Sequence, residues 1–103
     1  MIVVEGWVRM DPAEIERLRP AAVEMMRATR ANEPGCLEYA YAADLADSGL
    51  LRVIERWENQ AALDAHFQTE HMVVFNAAMA GAKITGASVK AYDGASSKTL
   101  VGE

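Results

Sequence analysis

The chain has little of what most reactive sites are built from. Its 103 residues include one cysteine and two histidines. A lone Cys36 excludes an internal disulfide and a cysteine pair for zinc, and it reads as a small buried hydrophobe. Basic charge is also short: Lys and Arg number 10 against 15 Asp and Glu, a formal net charge of -5. No basic stripe is left to neutralise phosphates, so neither nucleic acid nor an anionic membrane surface is an expected partner. No apolar run approaches the roughly 20 residues that span a bilayer, and no leader-like segment opens the chain, so the expected location is cytoplasmic. Gly6, Gly35 and Gly49 stand alone. Without Gly-x-Gly-x-x-Gly after a strand there is no dinucleotide or phosphate loop, and no cofactor is expected.

What is present is an ordinary core. Hydrophobic residues make up 51% of the chain and charged ones 24%, which suits one soluble domain and is too little for two. The first segment, 2–10, alternates Ile2, Val4, Val8 and Met10 against Glu5, Trp7 and Arg9, the period of a strand. Asp11-Pro12-Ala13-Glu14 follows it, with Asp suited to the N-cap, Pro to the first turn and Glu three residues on. The helix that starts there carries Ile15, Leu18, Ala22, Met25 and Thr29 as one stripe. Pro20 removes a donor from its middle and predicts a kink or break near Arg19.

Asn32-Glu33-Pro34-Gly35 reads as the turn that ends this helix. A second strand over 36–43 places Leu37, Tyr39 and Tyr41 on one face, and 44–49 supplies a hairpin loop. A third strand over 50–58 puts Leu51, Val53, Glu55 and Trp57 together. Asn59 suits the cap of a helix over 60–68, with Leu63, His66 and Phe67 on one side, and Thr69 the cap of another over 70–82, with Met72, Phe75 and Met79 on one face. A last strand over 83–92 contains Gly86 and leads into a turn-like tail. Residues 1–94 are thus the domain, and 95–103 a tail that is mobile or touches a partner subunit.

Strand, helix, strand, strand, helix in two pieces and strand make an α+β, ferredoxin-like β-α-β-β-α-β protomer, an antiparallel sheet with its helices on one face. Nothing remains to cover the other face, where Leu51, Val53, Trp57 and Trp7 would form an apolar patch. A second copy is the economical cover, which predicts a homodimeric α/β barrel.

Acid/base chemistry has few candidates here. Histidine is the side chain whose ordinary pKa lies near neutrality, so His66 and His71 come first. They are about 140° apart on an ideal helix, and Thr69 separates them, so they read as two independent candidates and not as a metal pair. Glu55, on the strand face of Trp57, can orient an imidazole or accept a proton. Trp57 and Tyr39 are flat walls for an aromatic ligand, with Phe67 and Phe75 as further apolar contacts.

The stretches Asn32-Glu33-Pro34-Gly35-Cys36-Leu37-Glu38-Tyr39, Glu55-Arg56-Trp57-Glu58 and Leu63-Asp64-Ala65-His66-Phe67-Gln68-Thr69-Glu70-His71 resemble the antibiotic biosynthesis monooxygenase family. The resemblance implies a dimeric barrel whose protomers each hold a small, often aromatic molecule between sheet and helices. It implies a cofactor-independent monooxygenase acting on a quinol or polycyclic phenol, with an isomerase or a non-catalytic ligand-binding or stress-response protein as the alternative on the same scaffold. Ground-state oxygen reacts with such a substrate once it is electron-rich, so the protein must deprotonate a phenol or enol and keep water away. His66, His71 and Glu55 would carry the proton, and Trp57, Tyr39, Phe67 and Phe75 would hold the substrate. The haem-degrading members carry an asparagine, a tryptophan and a ligating histidine where this chain has Gly6-Trp7, His66 and Asn76. The resemblance therefore does not extend to haem degradation.

Overall fold

Asp11 ends the first strand and starts the first helix with the same side chain. In the computed structural model, which describes residues 1–94 and 96–102, β1 is Ile2–Met10 and α1 is Pro12–Asn32. Asp11 Oδ1 accepts the Ala13 amide at 2.8 Å, and Pro12 fills a first-turn position whose amide has no helical partner. The break expected at Pro20 does not occur, since α1 runs through it unbroken. Pro20 and Glu16 are both exposed, so the Glu16 carbonyl that loses its helical donor is left facing water.

The remaining elements are β2 (Cys36–Asp44), β3 (Asp47–Trp57), α2 (Gln60–His66), α3 (Glu70–Met79) and β4 (Ile84–Asp93). They form the expected ferredoxin-like layout, a sheet of order β2-β3-β1-β4 with every pairing antiparallel. The 44–49 loop shortens to the two-residue turn Leu45-Ala46, because β3 already begins at Asp47. Helices α2 and α3 stop two and three residues short of the limits read from the sequence. Asn59 Oδ1 caps α2 by accepting the Ala62 amide at 2.9 Å. Thr69 Oγ1 accepts the Met72 amide at 3.3 Å and donates to the His66 carbonyl at 2.8 Å, tying the end of α2 to the start of α3. Of the tail segment 95–103, Ala95 and Glu103 lie outside the described residues.

Two face assignments need correction. Cys36 pairs with Trp57 and Glu38 with Arg56, so Leu37 is an extra residue in a bulge. The bulge shifts the alternation by one: Leu37 is 49% exposed, and Cys36 packs on the core beside Tyr39 and Trp57. The second correction concerns the sheet's two faces. Val53, Glu55 and Trp57 are buried on the helix side, with Leu51 beside them. The open face instead presents Val3, Trp7 and Ile54 among polar groups, including an Arg56–Glu38 ion pair at 3.0 Å and a Tyr92 hydroxyl donating to Glu5 at 3.0 Å.

Between sheet and helices the core is divided. One cluster holds Ile2, Val4, Met25, Tyr39, Trp57 and Leu63, and another holds Met10, Ile15 and Leu18. A cavity lined by members of both lies between them. Helix α3 buries none of its residues and roofs this cavity with Met72, Phe75 and Met79.

Candidate active site

The cavity has a volume of about 320 Å³. An apolar protein cavity of about 150 Å³ holds one benzene, so this one has room for a fused two-ring molecule. Most of the lining is aliphatic or aromatic, and the polar side chains facing it from the sheet and α2 are Tyr39, Tyr41, Glu55 and His66. These four are brought together by strand register and by one helix end. Tyr39 sits opposite Glu55 across β2 and β3, Tyr41 follows two residues on, and His66 closes α2 against them.

His66 and His71, read as independent from the sequence, converge on one carboxylate. His66 Nδ1 lies 2.7 Å from Glu33 Oε2, and His71 Nε2 lies 2.6 Å from the same oxygen. Glu33 reaches them from the turn after α1, 33 residues from His66. Gly35 makes the approach possible: a Cβ there would stand 2.6 Å from the Ala62 Cβ, so only glycine lets α2 pack so close to the turn. Side-chain exposure rises from 1% at His66 to 10% at Glu33 and 18% at His71. The histidines thus differ in place: His66 lines the cavity, whereas His71 stands behind Glu33 and is not part of the wall. With Nδ1 committed to Glu33, Nε2 is the His66 ring nitrogen left for a ligand.

Among the described residues, Glu33, His66 and His71 form a group with metal-ligand chemistry, their donor atoms within 4.8 Å of one another. The contacts of 2.6 and 2.7 Å are hydrogen-bond lengths. Tetrahedral zinc with bonds near 2.0–2.1 Å spaces its ligands by about 3.3 Å. A metal would therefore have to displace the carboxylate from both rings.

Glu55 is 8% exposed, and its Oε1 accepts the Trp57 Nε1–H at 3.0 Å. Burial holds its carboxyl above the usual carboxylate range, opposed in part by the Trp57 hydrogen bond and by His66. Because folding raises this pKa, the group's contribution to stability is complete below the ordinary carboxyl value and is lost as pH rises through the raised one. Glu55→Gln keeps an acceptor for Trp57 and removes the charge. It is expected to stabilise the protein by on the order of 1–3 kcal/mol at about pH 8, with a smaller gain near pH 4. Thermal melts across that range check this, and a gain that does not depend on pH would contradict it.

The remaining expected site residues divide by position. Tyr39 lines the cavity, Phe75 lines it while stacking on Tyr41 at 5.6 Å and 20°, and half-exposed Phe67 lines it from the end of α2. Trp57 is fully buried and lies behind the lining, edge-on to Tyr39 and 4.8 Å from the His66 ring. It supports Glu55, Tyr39 and His66 from behind. Cys36 is a thiol that burial pushes up to about 11, so it stays protonated. Glu33 and Tyr41 were not singled out by the sequence. Tyr41 was findable, since it shares a strand face with Tyr39, whereas a glutamate in a turn carries no local signal of distant histidines.

The family model for antibiotic biosynthesis monooxygenases matches residues 1–78. An uncharacterized protein, sll1783 of Synechocystis sp., is 31% identical over 99 residues, which are 96% of this chain and 67% of that one. A crystal structure of an antibiotic biosynthesis monooxygenase superposes with a TM-score of 0.81 at 30% identity, covering 93% of this chain and 100% of the other. A candidate monooxygenase of the same name from Deinococcus radiodurans gives a TM-score of 0.86 at 25% identity, over 99% and 100% of the two chains. With fold, family model and relatives in agreement, the chain belongs to the antibiotic biosynthesis monooxygenase family.

Proposed function

We propose that the protein is a cofactor-independent monooxygenase that takes a small quinol or polycyclic phenol into the cavity and oxidises it with molecular oxygen. The observation that carries this reading is an apolar, ring-sized cavity with one polar wall, into which a buried histidine presents a free nitrogen backed by a carboxylate. His66 Nε2 accepts the substrate hydroxyl proton. Glu33 holds the ring in the tautomer with hydrogen on Nδ1 and faces the imidazolium charge that forms, and His71 fixes Glu33 by a second hydrogen bond. The anion left behind is electron-rich enough to react with oxygen, and the mostly apolar lining limits the water around it. One oxygen atom enters the ring and the other leaves as water, so a hydroquinone yields a hydroxyquinone with no external reductant.

On this reading a second copy covers the open sheet face, where Val3, Trp7 and Ile54 lie between paired charges, and the molecule acts as a homodimer. The test is oxygen uptake with a fused bicyclic hydroquinone, with no flavin added and a chelator present. Protein-dependent uptake above autoxidation is expected, together with the hydroxylated quinone. Substrate turnover that continues without oxygen would assign an isomerase instead, and tight binding with no turnover a ligand-binding protein.

A further inference from the structure

Tyr39 and Tyr41 hold their hydroxyls 2.5 Å apart on the cavity side of β2. Tyr39 is 2% exposed and has no other acceptor among the described residues, so its proton goes to Tyr41. Tyr41 accepts that bond and keeps its own proton, which has no protein acceptor among the described residues and a cavity in front of it. A hydroxyl that accepts one hydrogen bond is a stronger donor of the next. Both phenols stay neutral, since burial pushes Tyr41 up to about 12 and Tyr39 further. Next to them, Glu55 Oε1 is held by the Trp57 indole, and burial pushes its carboxyl above the usual carboxylate range. The His66 ring lies 5.2 Å from the Tyr39 ring, so base and donors share one end of the cavity.

We propose that Tyr41, backed by Tyr39, forms an oxyanion-binding subsite for the phenolate or enolate oxygen of the ligand. This rests on the reading of the cavity as the place where a phenol or enol loses its proton. The substrate O–H bond breaks, its electron pair stays on oxygen, and the proton goes to His66 Nε2. Tyr41 keeps its proton and donates a hydrogen bond to the oxygen as its charge develops. A neutral donor fixed in a mostly apolar cavity is oriented before the charge appears, which is why it stabilises an anion better than water does. The chain's net charge of -5 disfavours casual binding of anions, and Arg19, the one cation lining the cavity among the described residues, is paired with Glu16.

The probe is 4-nitrophenol, whose ionised and neutral forms differ in visible absorption, titrated anaerobically with the full chain. The bound probe is expected to ionise at least one pH unit lower than in water, a preference for the anion of about tenfold or more. Tyr41→Phe, which removes the donor together with the acceptor of the Tyr39 hydroxyl, should lower that preference by about tenfold to a hundredfold. Tyr39→Phe removes only the backing bond and should lower it by a few-fold. The subsite is overturned if 4-nitrophenol does not bind, if it ionises as in water, or if Tyr41→Phe binds the anion as the parent does. Anion preference in a protein that consumes no oxygen with the hydroquinone would keep the subsite and remove the oxygenase. Oxygen uptake untouched by Tyr41→Phe would do the reverse.

Discussion

Replacing His66 by asparagine is expected to lower hydroquinone turnover by about 10²–10⁴-fold, the usual worth of a positioned general base. Asparagine is the informative replacement because its amide nitrogen can occupy the place of Nδ1. Glu33 then keeps a donor where His66 Nδ1 now lies at 2.7 Å, and no buried carboxylate is left facing an empty space. What disappears is Nε2, the one ring nitrogen that is free to reach the cavity. The loss should therefore fall on kcat far more than on KM, since the apolar lining is unchanged. Initial rates of oxygen uptake, with a thermal melt showing that the variant remains folded, decide the matter. A folded His66→Asn protein that keeps turnover within a few-fold of the parent would remove His66 from the base role and leave Glu55 as the next group on the same wall.

The second large effect is on stability. Trp57→Ala should cost about 3–5 kcal/mol, the range found when a fully buried aromatic ring is truncated. Trp57 has no exposed surface, sits in the cluster with Ile2, Val4 and Met25, and contacts Tyr39 and His66 by ring packing. Its loss also strips Glu55 of the indole N–H at 3.0 Å. Against a total stability of about 5–15 kcal/mol for a domain of this kind, and about 4–8 °C in Tm per kcal/mol, the melt should fall by roughly 12–40 °C. Trp57→Phe keeps one ring but loses the donor and part of the indole volume, so about 1–3 kcal/mol is expected there. Circular dichroism melts of both variants measure the two contributions, and a Trp57→Ala melt within a few degrees of the parent would contradict the central packing role.

The parts of the molecule legible from the chain are those governed by neighbours in sequence. Asp11-Pro12, Asn59 and Thr69 start helices because their side chains reach amides two or three residues away, and all three do so. Alternation along 50–58 placed Val53, Glu55 and Trp57 on one face for the same reason. Pro20 shows the limit of that reasoning, because its cost depends on whether the freed Glu16 carbonyl meets water or protein. Leu37 shows another, since a bulge is a property of a strand pair and depends on how Cys36 and Glu38 align with Trp57 and Arg56.

The candidate site divides along the same line. His66 was legible as an inward-facing residue at a helix end, and Tyr39 and Glu55 as members of strand faces, because local periodicity determines where a side chain points. Which sheet face the helices cover is not local, and so Trp57 proved to be a supporting residue behind the cavity and the open face proved mixed. The link between His66 and His71 is also not local. It runs through Glu33, a residue in a turn that only the packing of α2 against Gly35 brings within 2.7 Å. Sequence alone thus determined the elements, their order and the inward position of His66, since these follow from side-chain periods and caps. Tertiary structure alone decided the cavity, its polar wall and the carboxylate partner of His66, since these arise where segments remote in sequence are packed together.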